Sequence, residues 1–173
     1  MAGGGWGDGQ GPKRGDLIGP NPTDRAKPGV KRSLHVEGDG GPLGIIVAGA
    51  NRPDFQLLAA TLDACVVDRP KVTARHPQHL CLDRGYDIDD IWAEVVDRGY
   101  EPHIRMKGVP TGVPEEGRWP ARRWVVERTL GWLSQCRGVL IRWEKKAVNY
   151  LALLQVACAL LWYRRLHRLT VLR

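Results

Sequence analysis

The 173-residue chain has no internal repeat, no Cys-x-x-Cys pair and no glycine-free opening. Without a repeat it is not a solenoid or a propeller. The four cysteines (Cys65, Cys81, Cys136, Cys158) stand far apart, so neither a disulfide framework nor a thiol zinc knuckle is expected. They read as reduced, mostly buried thiols. Residues 1–11 are glycine-rich, not apolar, so no leader peptide is read there. His76 and His79 have His-x-x-His spacing with Cys81 nearby, but Pro77 between them works against a helix presenting both rings, so no zinc site is expected there.

What is present is an ordinary globular composition, 43% hydrophobic and 26% charged, with an unusual load of 21 glycines and 12 prolines. This excludes a wholly disordered, a collagen-like and a polytopic membrane chain. Charge is uneven. Residues 33–70 carry 2 basic and 5 acidic groups, whereas residues 111–173 carry 12 and 4, within a net charge of +7. A basic third beside an acidic centre suits a polyanion held near metal-binding carboxylates. Ordinary solvation of helix ends is the competing reading.

Residues 1–29 have no hydrophobic period and read as a Gly/Pro-rich flexible segment; residues 30–173 read as the folded domain. Alternation over 30–37, the Gly38–Pro42 turn and the apolar run 43–49 predict a β-hairpin. Asp54 reads as the cap of a helix carrying Leu57, Leu58, Leu62 and Cys65. The run His79–Asp83 reads as a buried strand. Asp87 then caps a helix over 88–98 that Gly99 ends, and residues 100–105 form an edge strand because of Pro102. Residues 107–120 read as loop. A helix follows over 121–135 with Trp124, Val125, Leu130 and Leu133 inward, then a strand or extended link over 139–143. Ala147 to Arg168 reads as a buried helix with a basic end, too short of uninterrupted apolar residues to span a membrane. The order is α/β with a mixed sheet.

Two acids stand out by position. Asp83 ends a buried strand, where reactive groups of α/β sheets collect. Glu127 lies three residues from Trp124 and from Leu130, on or near the inner side of its helix. A carboxylate there is costly unless paired or metal-bound. A salt bridge with Arg123 or Arg128 is the competing reading.

The strings GDLIGPNPTDRAKPGVKRSLHVEGDGGPLGIIVAGANRPD, HLCLDRGYD, ARRWVVERTLGWL and RWEKKAVNYLALLQVACALLWYRRL occur in that order between residues 13 and 168. They resemble the DDE transposases of bacterial insertion sequences, in particular the insertion-sequence five group. The resemblance implies a ribonuclease-H-like mixed sheet flanked by helices. It implies three acids holding two Mg²⁺ or Mn²⁺ ions, and metal-dependent DNA cleavage and strand transfer. It implies Asp83 and Glu127 as the second and third acids and metal ligands. Arg123, four residues before Glu127, is implied as a contact to the DNA backbone. Asp8 is the nearest candidate for the first acid, because the apolar strand that carries it in the family is absent here, and Asp16 reads as a loop residue. Pro120 and Ser134 stand where the family has a tyrosine and a lysine or arginine.

The central strand of the sheet is therefore expected to be missing or degenerate, and the helical DNA-binding region of longer relatives is not seen in this sequence. Lys27, Lys31, Arg32, Arg137 and Arg142 are expected on phosphates, with Lys145, Lys146, Arg164, Arg165 and Arg168 as further candidates. Trp119 is the tryptophan best placed to stack on a base. The expected partners are DNA, no membrane, and a second copy or a longer transposase. The expected location is the bacterial cytoplasm at the nucleoid. A DNA-binding remnant without catalysis is the alternative.

Overall fold

The structure is a computed structural model that describes residues 2–3, 9–10, 15–108 and 124–171, with side chains for 15–108 and 124–168. Asp8, Arg123, Trp119 and most of the 107–120 loop lie outside the described residues.

The central element is β4 (Pro28–Val36), which is paired along its length with β5 (Pro42–Gly49) in the expected hairpin. Both strands are buried almost throughout, because sheet and helices cover Val30, Leu34, Val36, Ile45 and Val47. The turn between them puts Gly40 at φ +94°, a backbone state that favours glycine. The opposite edge of β4 is not bare. Two short strands, β1 (Ala2–Gly3) and β2 (Gly9–Gln10), pair antiparallel with it, Ala2 opposite His35 and Gly9 opposite Val30. Between the two ladders the register shifts by two residues. A third, β3 (Gly19–Pro20), continues the β5 side of β4.

Residues 1–29, expected to be loop throughout, thus supply three pieces of sheet. Of the two expectations for the central strand, missing or degenerate, the two short ladders on β4 fit the degenerate one. Backbone ladders need N–H and C=O groups, not apolar side chains, so a glycine-rich segment can take the place without the hydrophobic signature. β1 also lies against β6, between β4 and the second sheet.

That second sheet is the parallel pair β6 (His79–Leu82) and β7 (Glu101–Ile104), joined through α2 (Asp89–Asp97). Leu80, Leu82, Ile91, Val95 and Ile104 form its core with Leu58 and Leu62 of α1 (Leu58–Asp63). Two expected caps are corrected. Asp54 opens a 3-10 turn before α1 but caps nothing, and its carboxylate pairs with Lys31 instead. Asp87 does not cap α2; it accepts hydrogen bonds from Trp92 Nε1 at 3.0 Å and from the Lys107 N–H at 2.7 Å.

α1 and two of the C-terminal helices, the first and the last, pack on the first sheet. α3 (Trp124–Ser134) buries Val125, Val126, Thr129, Leu130 and Leu133. Trp124, expected inside, is 55% exposed, with the Arg128 guanidinium 4.5 Å from its ring. The expected strand at 139–143 begins instead as a helical turn, α4 (Arg137–Leu140). Among its described side chains, α5 (Ala147–Val171) buries Tyr150, Leu154 and Ala157, while Val148, Val156, Leu160, Tyr163 and Leu166 are exposed. The buried-helix reading is therefore corrected to one buried stripe. By length and composition alone Ala147–Arg168 meets the minimum for crossing a membrane, a test that core helices of soluble proteins also meet. Its far end is tied to the hairpin turn, where Trp162 Nε1 donates to Pro42 O at 2.7 Å and Arg165 pairs with Glu37 at 2.6 Å.

Candidate nucleic-acid and metal site

Asp83 follows β6 directly. Its extended backbone (φ −70°, ψ 160°) turns the chain, and its carboxylate accepts from the Gly85 N–H at 3.4 Å, capping the short turn Arg84–Tyr86. The side chain is half-buried. Tyr86, in that turn, is buried. Burial first, then the negative charges of Asp54 and Asp83, push its hydroxyl well above the ordinary tyrosine range. The hydroxyl is thus held protonated between two acids. Asp54 was not expected in this setting. Its sequence signal, an acid after Arg52-Pro53 at a helix start, resembles any cap.

Glu127 sits in the first turn of α3, which packs over β4 and β1. It is exposed, so its expected inward position is corrected: the buried side of α3 is the one defined by Val125, Val126 and Thr129. A carboxylate there meets the positive end of the helix dipole at no burial cost. Asp83 and Glu127 offer the oxygen donors that Mg²⁺ takes. Among the described residues, the one group of three converging metal-type donors is a different one, His79, Glu101 and His103.

The basic residues divide sharply. Lys31 is buried, its Nζ 2.7 Å from Arg52 O and 3.2 Å from Asp54 Oδ1. Arg32 is 4% exposed. Arg142 is 1% exposed and donates to Glu144 O at 2.8 Å and Lys145 O at 2.9 Å. These three are structural cations in place of the expected phosphate contacts. Lys27 and Arg137 are exposed, as are Lys145, Lys146, Arg164 and Arg168. Lys27 pairs with the surface residue Asp24 at 3.2 Å.

Lys31→Met is expected to lower stability by about 2 kcal/mol, because it leaves the Asp54 carboxylate without its buried counter-charge. That is a fall in Tm of about 4–8 °C. Lys27→Met should stay within about 0.5 kcal/mol, as exposed pairs do. Equal effects in thermal unfolding would contradict this division.

A cleft of about 490 Å³ opens between the β4–β5 turn and α5, lined by Gly41, Trp132, Trp162, Arg164 and Arg168 among others. It joins the aromatic faces of Trp132 and Trp162 to guanidinium groups. Exposed Trp143 and Trp132 add stacking surface.

A family model described as a transposase DDE domain matches residues 8–162. A Burkholderia cepacia protein assigned as the transposase for insertion sequence element IS402 is 36% identical over 156 residues, covering 87% of this chain and 70% of that protein. No solved structure gives a significant match. The match runs from residue 8 through β2, β3, Asp83 and Glu127 to Trp162 in α5, and the chain belongs to the transposase DDE domain family.

Proposed function

We propose that the chain acts on DNA as an insertion-sequence transposase, cutting one strand at the element end and joining the freed 3′-hydroxyl to a target phosphate. The observation that carries the reading is the family match over residues 8–162, which spans both Asp83 and Glu127. A ribonuclease-H-like arrangement is part of the same proposal. In its support, β4 is the middle of a hairpin sheet, the N-terminal chain lies between β4 and β6, and Asp83 closes β6.

Asp83 and Glu127 would hold the divalent metal, with Asp8 the candidate for the third acid. Bound Mg²⁺ or Mn²⁺ would supply Lewis-acid stabilisation of charge at the attacking and leaving oxygens. The chain's own part is to orient the DNA. Lys27, Arg137, Lys145 and Lys146 offer exposed charge to phosphates, and the Trp132–Trp162 cleft offers a place for an unstacked base. Arg123 belongs to the proposal as a backbone contact. A cytoplasmic site of action beside the nucleoid, and assembly with a second copy or a longer transposase, complete it.

The test pairs supercoiled-plasmid nicking in millimolar Mn²⁺ or Mg²⁺ with binding of a fluorescent DNA duplex across a salt series. Four exposed cations on phosphates give a slope of log K against log salt of about −4. Nicking with such binding is the expected result. Binding without nicking would favour the non-catalytic remnant, and no binding by a cooperatively folded chain would overturn both readings.

A further inference from the structure

The parallel register of β6 and β7 sets His79 opposite Glu101 and Cys81 opposite His103. Residues two apart on a strand share a face, so Glu101 and His103 stand on one face of β7, next to His79 on β6. His79 Nδ1 lies 2.8 Å from His103 Nε2 and 3.1 Å from a Glu101 carboxylate oxygen. The two rings meet edge-on, 71° between planes with centroids 4.8 Å apart. The donor atoms of all three residues fall within 4.8 Å of one another.

We propose that His79, Glu101 and His103 bind a first-row divalent cation, with Zn²⁺ the best fit. Two imidazoles and one carboxylate are borderline donors. They favour Zn²⁺ over Mg²⁺, which takes oxygen and water. Ligand atoms around tetrahedral zinc, at bonds of about 2.0–2.1 Å, stand about 3.3 Å apart. Closing on a metal therefore asks the two short contacts to open by a few tenths of an ångström and the Glu101–His103 spacing, at most 4.8 Å, to settle near the same value. The site has access to water, since the His79 side chain is 33% exposed and that of Glu101 60%. Three protein ligands leave a fourth position for a water.

No residue of this centre is Asp83, which follows β6 four residues beyond His79, about 13 Å at the rise of a strand, and two beyond Cys81, the partner of His103. The centre clips β6, which Asp83 follows, to β7. The sheet they form is only two strands wide among the described residues, and its ladder is four residue pairs long, so a cross-strand metal clip adds rigidity to it. The proposal does not depend on the transposase activity.

The experiment is zinc titration of the EDTA-stripped, dialysed chain against a chromogenic chelator, with Mg²⁺ as the control ion. One Zn²⁺ per chain is expected, with no competition from equimolar Mg²⁺. At 100 times the dissociation constant, Tm should rise by about 2–4 °C per kcal/mol of the linkage expected at that occupancy. His103→Gln and Glu101→Gln should each weaken binding at least tenfold, while Asp83→Asn leaves it unchanged. Their fold is checked by circular dichroism and cooperative unfolding in the absence of metal. No stoichiometric zinc on a folded wild type would overturn the proposal. So would zinc affinity that survives His103→Gln, which would place the ion elsewhere.

Discussion

Asp83→Asn is expected to leave the chain folded and to lower metal-dependent nicking by about 10²–10³-fold, the usual cost of removing one group that stabilises transition-state charge. The substitution separates chemistry from folding because of what Asp83 does in its turn. One structural task is to accept the Gly85 N–H at 3.4 Å, and an asparagine amide oxygen accepts that bond equally well. The side chain is half-buried at the end of β6, so an uncharged replacement of the same size introduces no cavity. The lost property is negative charge, which a divalent cation requires. Glu127→Gln tests the other end of the same proposal. It removes a favourable charge from the first turn of α3, a cost of about 0.3–1 kcal/mol in stability, and should also lower nicking by about 10²-fold or more. Both variants should bind a DNA duplex as the wild type does, since neither removes a cation. Nicking that persists unchanged in Asp83→Asn would show that cleavage does not pass through this acid.

Much of this arrangement is legible in the residues. Alternation over Val30–Glu37 and the apolar run Leu43–Gly49 find the hairpin, because one face of each strand must meet α3 and α5. The short run His79–Leu82 before an acid finds β6 and places Asp83 at its end. Three kinds of feature are not legible, each for a physical reason. The N-terminal ladders leave no side-chain pattern, since Gly3, Gly9 and Gly19 pair through the backbone alone. The fate of an arginine is set by acceptors elsewhere. Arg142 fits the core because Glu144 O and Lys145 O turn towards it, while Arg137, five residues earlier, stays in water. Helical spacing also leaves the flank of a face ambiguous, so Trp124 goes to solvent under Arg128 while Val125 goes inside.

The His79–Glu101–His103 cluster is invisible for a fourth reason. Its members are separated by up to 24 residues and meet only through the β6–β7 register. The His76–His79 spacing that looks more suggestive along the chain converges on nothing comparable among the described residues.

Acid should destabilise this protein well above the pH at which its carboxylates titrate, through His35. The residue lies in the middle of the sheet, 3% exposed, between Ala2 on one neighbouring strand and Gly44 on the other. Burial, as the largest cause, pushes its pKa from 6.5 down to about 3. The folded chain therefore keeps the imidazole neutral, whereas the unfolded chain takes up a proton as pH falls below 6.5. The unfolded state then binds more protons, so stability is full above pH 6.5 and declines steadily as pH falls towards 3. At pH 5 the loss is about 2 kcal/mol, at 1.36 kcal/mol per unit, or a Tm lower by about 4–8 °C than at neutral pH. The carboxylates act in a lower window. The Arg98 guanidinium holds Asp63 below its ordinary value, and the Lys107 N–H and the Trp92 indole do the same for Asp87, so what they contribute is lost only as pH falls through the carboxylate range. Thermal unfolding between pH 7 and 5 thus isolates the histidine. His35→Leu, close in volume and unable to take a proton, should flatten the curve in that interval. If the variant kept the wild-type slope, the acid sensitivity would have to come from another group.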